Sequence, residues 1–190
     1  MTSGIEIGFL LDHLWHQIRG EMEQSKLPAL LAIARILADT GVPYAVIGGI
    51  ALQVHHPEPR TTLDIDLAVQ DRSAIPAARL EAAGFVRTGD HAHSVNWRAA
   101  DGTPVQFTDD PALRAAIGRA TRVDLRGVPL RVIARGDLLH EELRAGGDPA
   151  HRRSKRLQDL ADAQALLEAD PALAAGLSDV ERALLGRLPP

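Results

Sequence analysis

Tyr44-Ala45-Val46-Ile47-Gly48-Gly49-Ile50-Ala51-Leu52, followed by Arg60-Thr61-Thr62-Leu63-Asp64-Ile65-Asp66-Leu67-Ala68-Val69, decides how this chain folds. Four apolar residues run into a glycine pair, and two carboxylates then appear at i, i+2 within a second apolar, β-branched run. The first run reads as a short buried strand and Ile50 to His55 as a helix opening at the glycines. Alternation along a strand sends Asp64 and Asp66 to one face and predicts Leu63, Ile65 and Leu67 in the core.

Each half of this pattern has a plain and a chemical reading. Two adjacent glycines can be only a tight turn. At a helix start they also leave backbone N–H groups open to an anion, with no Cβ to block a phosphate. No Gly-Lys-Ser/Thr follows, so this is not a P-loop. Two acids on one strand face can be charges guarding a sheet edge. They also suit a hard cation such as Mg²⁺ held against a polyphosphate. The apolar flanks of Asp64 and Asp66 place their strand inside a sheet and favour the cation.

Working outward, helices are predicted over 5–20 and 28–39, the second stopping at Gly41. Ser73 is expected to cap a helix reaching residue 83, with Pro76 in its first turn. Strands are expected at 85–87, 94–98 and 105–107, the last two joined by a turn at Asp101-Gly102. Asp110-Pro111 reads as a cap and first helical position. A hairpin turns at Arg126-Gly127. Helices follow over about 137–145 and 152–168, and Ser178-Asp179-Val180-Glu181 has the capping-box pattern. Gly146-Gly147-Asp148-Pro149 is the expected linker to the helical tail.

The chain has 190 residues, enough for one domain with a helical annex. It is 45% hydrophobic but only 3% aromatic, so the core must be aliphatic. It has no cysteine, which excludes disulfides, thiolate metal sites and cysteine nucleophiles. Net charge −4 and pI near 6.0 argue against a nucleic-acid coat protein. No apolar run approaches a membrane span and the N-terminus lacks signal-peptide character, so the expectation is a cytoplasmic protein with no membrane partner.

Gly48-Gly49 with Ala51, His55, Arg60, Thr62, Asp64 and Asp66 resembles the signature of the nucleotidyltransferase superfamily that includes DNA polymerase β. More closely it is similar to the AbiEii-type and minimal nucleotidyltransferases of toxin–antitoxin systems. The resemblance implies an α/β (α+β) fold, a mixed β-sheet flanked by helices. The implied organisation is N-terminal helices over 1–39, a nucleotidyltransferase core over 40–135 and a helical C-terminal subdomain over 136–190. It implies transfer of a nucleoside monophosphate from an NTP to a hydroxyl of RNA (tRNA-like) or protein. Asp64 and Asp66 would hold Mg²⁺ or Mn²⁺. Gly48 and Gly49 would cradle the triphosphate, with Arg60 and Thr62 beside them. Lys155 would contact the phosphates from the C-terminal helix. An antitoxin or a second copy of the chain would be the partner.

The family's third acid is expected on a later strand, where this chain has Val105-Gln106-Phe107-Thr108. Gln106 brings no charge and cannot act as a base. It raises the alternative of a catalytically degenerate nucleotide-binding or regulatory module. Asp109 could replace the acid only through a bulge, since period 2 sends it to the other face; a loop-and-cap role for Asp109-Asp110 is the simpler reading. His151-Arg152-Arg153-Ser154-Lys155-Arg156 opens a helix with positive charge, the wrong end of the dipole unless an anion sits there. Lys155 and Asp159, at i, i+4, equally fit a surface ion pair. His55-His56 and His91-x-His93 lack a further ligand for zinc, and Ser94 lacks a hydrolase triad. His55 is expected behind the glycine helix, with His91 and His93 beside the site strand.

Overall fold

A seven-stranded mixed sheet, in the order β3-β4-β5-β2-β1-β7-β6, carries the molecule. Its strands are β1 (Tyr44–Ile47), β2 (Ile65–Val69), β3 (Val86–Asp90), β4 (Ser94–Arg98), β5 (Pro104–Thr108), β6 (Thr121–Leu125) and β7 (Val128–Val132). The helices are α1 (Gly4–Ile18), α2 (Lys26–Thr40), α3 (Gly48–His55), α4 (Ala77–Ala82), α5 (Arg114–Arg119), α6 (Arg135–Gly147), α7 (Arg153–Ala169) and α8 (Asp179–Leu185). The structure is a computed structural model and describes residues 4–18, 26–56 and 61–187. No helix among the described residues is long and apolar enough to cross a membrane. The expected mixed sheet flanked by helices is thus what the chain forms.

The central strands explain the sequence that precedes and follows the glycines. Every residue of β1 is buried, as a strand covered on both faces requires. It pairs antiparallel with β2, setting Ile47 opposite Asp66, and parallel with β7. On the far side of β2, β5 runs parallel and puts Gln106 abreast of Asp66. In β5, Val105 and Phe107 are buried while Gln106 is exposed, so period 2 holds and no bulge disturbs it.

Several expectations are corrected. The helix expected over 73–83 is a 3-10 turn, Arg72–Ala74, followed by α4. Pro76 forces the break, because Ile75 before it is pushed to extended backbone with ψ 125°. Asp71, not Ser73, caps the turn by accepting from the Ser73 N–H. Strand β3 begins at Val86 and runs to Asp90, later than expected. Gly146 and Gly147 end α6 rather than forming a linker. A Cβ on Gly146 would lie 2.7 Å from the Leu160 side chain, so this glycine lets α7 pack closely on α6. Leu63 lies before β2 and is 58% exposed, not in the core. The expected turns at Asp101-Gly102 and Arg126-Gly127 are present, with Gly102 and both Arg126 and Gly127 at positive φ. The capping box at Ser178 and Glu181 is also formed.

A buried polar knot joins the N-terminal helices to the sheet. Asp12 on α1 and Lys26 at the start of α2 form a buried ion pair at 2.7 Å. Asp12 Oδ1 accepts from the Thr62 N–H at 2.8 Å, and Lys26 Nζ donates to the Thr62 carbonyl. Both backbone groups of Thr62 are therefore tied down two residues before Asp64.

Candidate active site

The glycine pair is required by what lies against it. Gly48 has φ +60°, and a Cβ there would lie 2.8 Å from Asp66 Oδ2. A Cβ on Gly49 would lie 2.5 Å from Thr62 Oγ1. The bend therefore lies against Asp66 and Thr62. Ile47, at the start of α3, supplies no side-chain cap, so the first turn of α3 presents its N–H groups without one. Thr62 Oγ1 donates to Asp64 Oδ1 at 3.2 Å, orienting the carboxylate. Asp64 sits in the bend immediately before β2, and Asp66 lies within it.

Gly48, Gly49, Thr62, Asp64, Asp66 and Lys155 all line one cavity of about 730 Å³. Arg60 lies outside the described residues. Gln106 faces the same cavity from β5. Asp109 faces elsewhere, where its Oδ2 accepts from Arg72 Nε at 2.9 Å. Asp110 lines the cavity and also caps the following turn through the Ala112 N–H. His91 and His93, expected beside the site, are not among the residues lining it. His55 packs behind α3: the ring nitrogen Nε2 donates to the Ile133 carbonyl at 2.6 Å. Burial pushes the His55 imidazole below its ordinary value, against the opposing effect of that hydrogen bond.

The opposite wall is helical and carries the cations. Lys155, Arg152, His151 and Arg144 line the cavity from α7, its approach and α6. Arg152 is exposed and also lines the cavity, so the positive charge at the start of α7 faces it. Arg156 turns away and donates through Nε to the Gly146 carbonyl at 3.0 Å. Arg144 is committed to Glu141 and Asp110, at 2.8 Å each. Lys155 pairs with Asp159, but not as a surface pair, since Asp159 is 0% exposed.

Asp159 belongs to a group that sequence spacing only half revealed. Glu142, Asp159 and Asp162 are all buried, and one oxygen of each lies within 4.8 Å of the others. Asp162 Oδ1 accepts from Gln158 Nε2 at 2.9 Å. Asp159 and Asp162 stand at i, i+3 on α7, but Glu142 comes from α6 and has no local signal linking it to them. Trp15, from α1, and Glu141 and Arg144, from α6, are further lining residues that sequence reasoning missed.

A mixed sheet in which a strand–Gly-Gly–helix junction abuts Asp66 of β2, with Asp64 in the bend before it, is a nucleotidyltransferase fold, and solved structures agree. The chain resembles ANT(2'')-Ia in complex with adenylyl-2''-tobramycin at TM-score 0.57 and 14% identity, covering 86% of this chain and 99% of that one. It also resembles the Megavirus polyadenylate synthase at TM-score 0.51 and 15% identity, covering 84% of this chain and 38% of the synthase. Residues 30–187 match the family described as nucleotidyl transferase AbiEii toxin, type IV TA system. The chain belongs to that nucleotidyltransferase family. No curated protein matches it.

Proposed function

We propose that this protein transfers a nucleoside monophosphate from an NTP to a hydroxyl group of an RNA or protein acceptor, with Mg²⁺ as cofactor. The observation that carries the reading is the contact between the Gly48 bend and Asp66, with Asp64 oriented by Thr62 beside it. Two hard carboxylate oxygens beside uncapped helix N–H groups fit a divalent cation bridged to phosphate. When bound, such an ion polarises the phosphoryl oxygens and offsets charge on attacking and leaving groups.

The chain's own residues then have defined tasks. Asp64 and Asp66 hold the cation. The first turn of α3, at Gly48 and Gly49, receives the triphosphate through backbone N–H groups, and Thr62 keeps Asp64 in place. Lys155 and Arg152 face the phosphates from α7. The acceptor oxygen attacks the α-phosphorus, the bond from that phosphorus to the bridging oxygen breaks, and pyrophosphate leaves. The acceptor proton passes to solvent; Gln106, abreast of Asp66, cannot take it. Within the family's description, the partner of such an enzyme is an antitoxin.

Gln106 favours a second reading, a degenerate module that binds nucleotide without turnover. A missing general base costs about 10²–10⁴ in rate. Incubation with each labelled NTP, Mg²⁺ and RNA or protein acceptors tests both. Transfer that disappears in Asp64→Ala supports the enzyme. NTP–Mg²⁺ binding without transfer, with activity appearing in Gln106→Asp, supports the module. Neither transfer nor calorimetric NTP–Mg²⁺ binding overturns both.

A further inference from the structure

The chain has two tryptophans, one tyrosine and three phenylalanines, and folding buries all of them but one. Phe9, Tyr44, Phe85, Trp97 and Phe107 are buried, whereas Trp15 is 47% exposed. The exposed indole is not on a random surface. It lines the cavity that holds Gly48, Gly49, Asp64 and Asp66, and among the described residues it is the cavity's only Trp, Tyr or Phe side chain, His151 being the one imidazole.

Its position is fixed by the polar knot. Asp12 and Trp15 are one helical turn apart, so their side chains leave neighbouring positions on one side of α1. Asp12 is buried, ion-paired to Lys26 and bonded to the Thr62 N–H, which ties this side of α1 to the backbone leading into Asp64. From Thr62 to Asp64 is two residues, a span of at most about 7 Å. Leu63, between them, is exposed and lines the same cavity, adding apolar surface to it. An apolar, flat surface held a short step from a phosphate-facing acid pair has the chemistry of a base platform. The opposite wall, with Lys155 and Arg152, has the chemistry of a phosphate clamp.

We infer that Trp15 is the stacking platform for the base of the incoming nucleotide, with Leu63 as its apolar neighbour. This rests on the nucleotide reading above. A π-face accepts every base, so the contact supplies affinity for nucleosides over bare polyphosphate and little choice among bases. It also gives α1 a part in substrate binding that the glycine and aspartate motif does not contain.

Emission and heat separate this inference from the reading beneath it. Only Trp15 and Trp97 emit as indoles, and Trp97 is buried. Titration with each NTP and Mg²⁺ should quench emission over the concentration range in which calorimetry registers binding. Inorganic tripolyphosphate with Mg²⁺ should bind without quenching. Trp15→Ala should weaken NTP binding roughly 5- to 150-fold and leave tripolyphosphate binding unchanged. Trp15→Phe should retain most of the NTP affinity and lose the quench. NTP binding with unaltered emission and full affinity in Trp15→Ala overturns the platform and leaves the nucleotide reading intact. Equal loss of NTP and tripolyphosphate in Trp15→Ala, with Trp15→Phe restoring neither, assigns the residue to holding α1 and also overturns the platform. Quenching by an RNA oligonucleotide but by no NTP gives the indole to an acceptor base, against the inference. No binding of NTP or tripolyphosphate by the wild-type chain overturns both.

Discussion

The two walls of the cavity are built on opposite plans. The sheet wall holds its acids half-buried at the end of a strand, with their geometry set by backbone: a positive-φ glycine, paired strand register and two hydrogen bonds to the Thr62 peptide. The helical wall holds three acids at low exposure, Glu142 at 5%, Asp162 at 4% and Asp159 at 0%, and lines the cavity with Glu142 and Asp159 beside the cations Lys155, Arg152 and Arg144. Among charged side chains the sheet wall presents acids, whereas the helical wall presents cations and acids together, with Lys155 paired to buried Asp159. The comparison teaches that carboxylates are fixed by backbone geometry on one wall and, for Asp159, by a paired lysine on the other.

Substitutions can break that contrast. Asp66→Ala should have the largest effect on chemistry. Loss of a carboxylate that holds the cation removes several kcal/mol of transition-state stabilisation, a fall of roughly 10³ in transfer rate, with little change in melting temperature. Asp12→Ala should have the largest effect on stability. It leaves Lys26 charged and buried, at a cost of about 3–5 kcal/mol in denaturant unfolding. Gly48→Ala combines the two: left-handed backbone costs about 1–2 kcal/mol, and the new Cβ meets Asp66, so transfer should fall as well as stability.

Smaller effects sharpen the picture of the helical wall and of its base. Lys155→Ala should weaken calorimetric NTP–Mg²⁺ binding by roughly 5-fold, about 1 kcal/mol, because its side chain is half-exposed and partly screened. The smallest effect concerns His55. Its folded value is lowered, so the unfolded chain binds the proton first as pH drops below about 6.5. Stability should therefore fall as pH goes from 7.5 toward 5, and His55→Gln should remove that residue's share of the slope in denaturant midpoints.

The sheet wall was legible because its signals are local. Period 2 places Asp66 and Gln106, and a glycine pair after an apolar strand marks the bend; the period fails at Leu63 and Asp64, which lie before β2 where strand alternation does not apply. The helical wall was legible only where partners share a helix, as Lys155 and Asp159 do. Glu142 joins Asp159 and Asp162 through the packing of α6 on α7, a contact that Gly146 permits and that no local period announces. Asp12 and Lys26 are likewise tertiary partners of Thr62. The available cue was a charge on an apolar helix face: Asp12 shares the buried side of α1 with Ile5 and Phe9. Pro76 was read as tolerable inside a helix start, but its effect on Ile75 split the helix instead.

The order in which these parts leave the ribosome follows from the same architecture. Asp12, Lys26, Thr62 and both aspartates are made early, and the sheet wall has its N-terminal supports in hand as soon as β2 exists. Helix α7 starts only at Arg153, so the facing cations arrive last. A growing chain therefore carries the glycine bend and both aspartates before the α7 side chains that share their cavity exist.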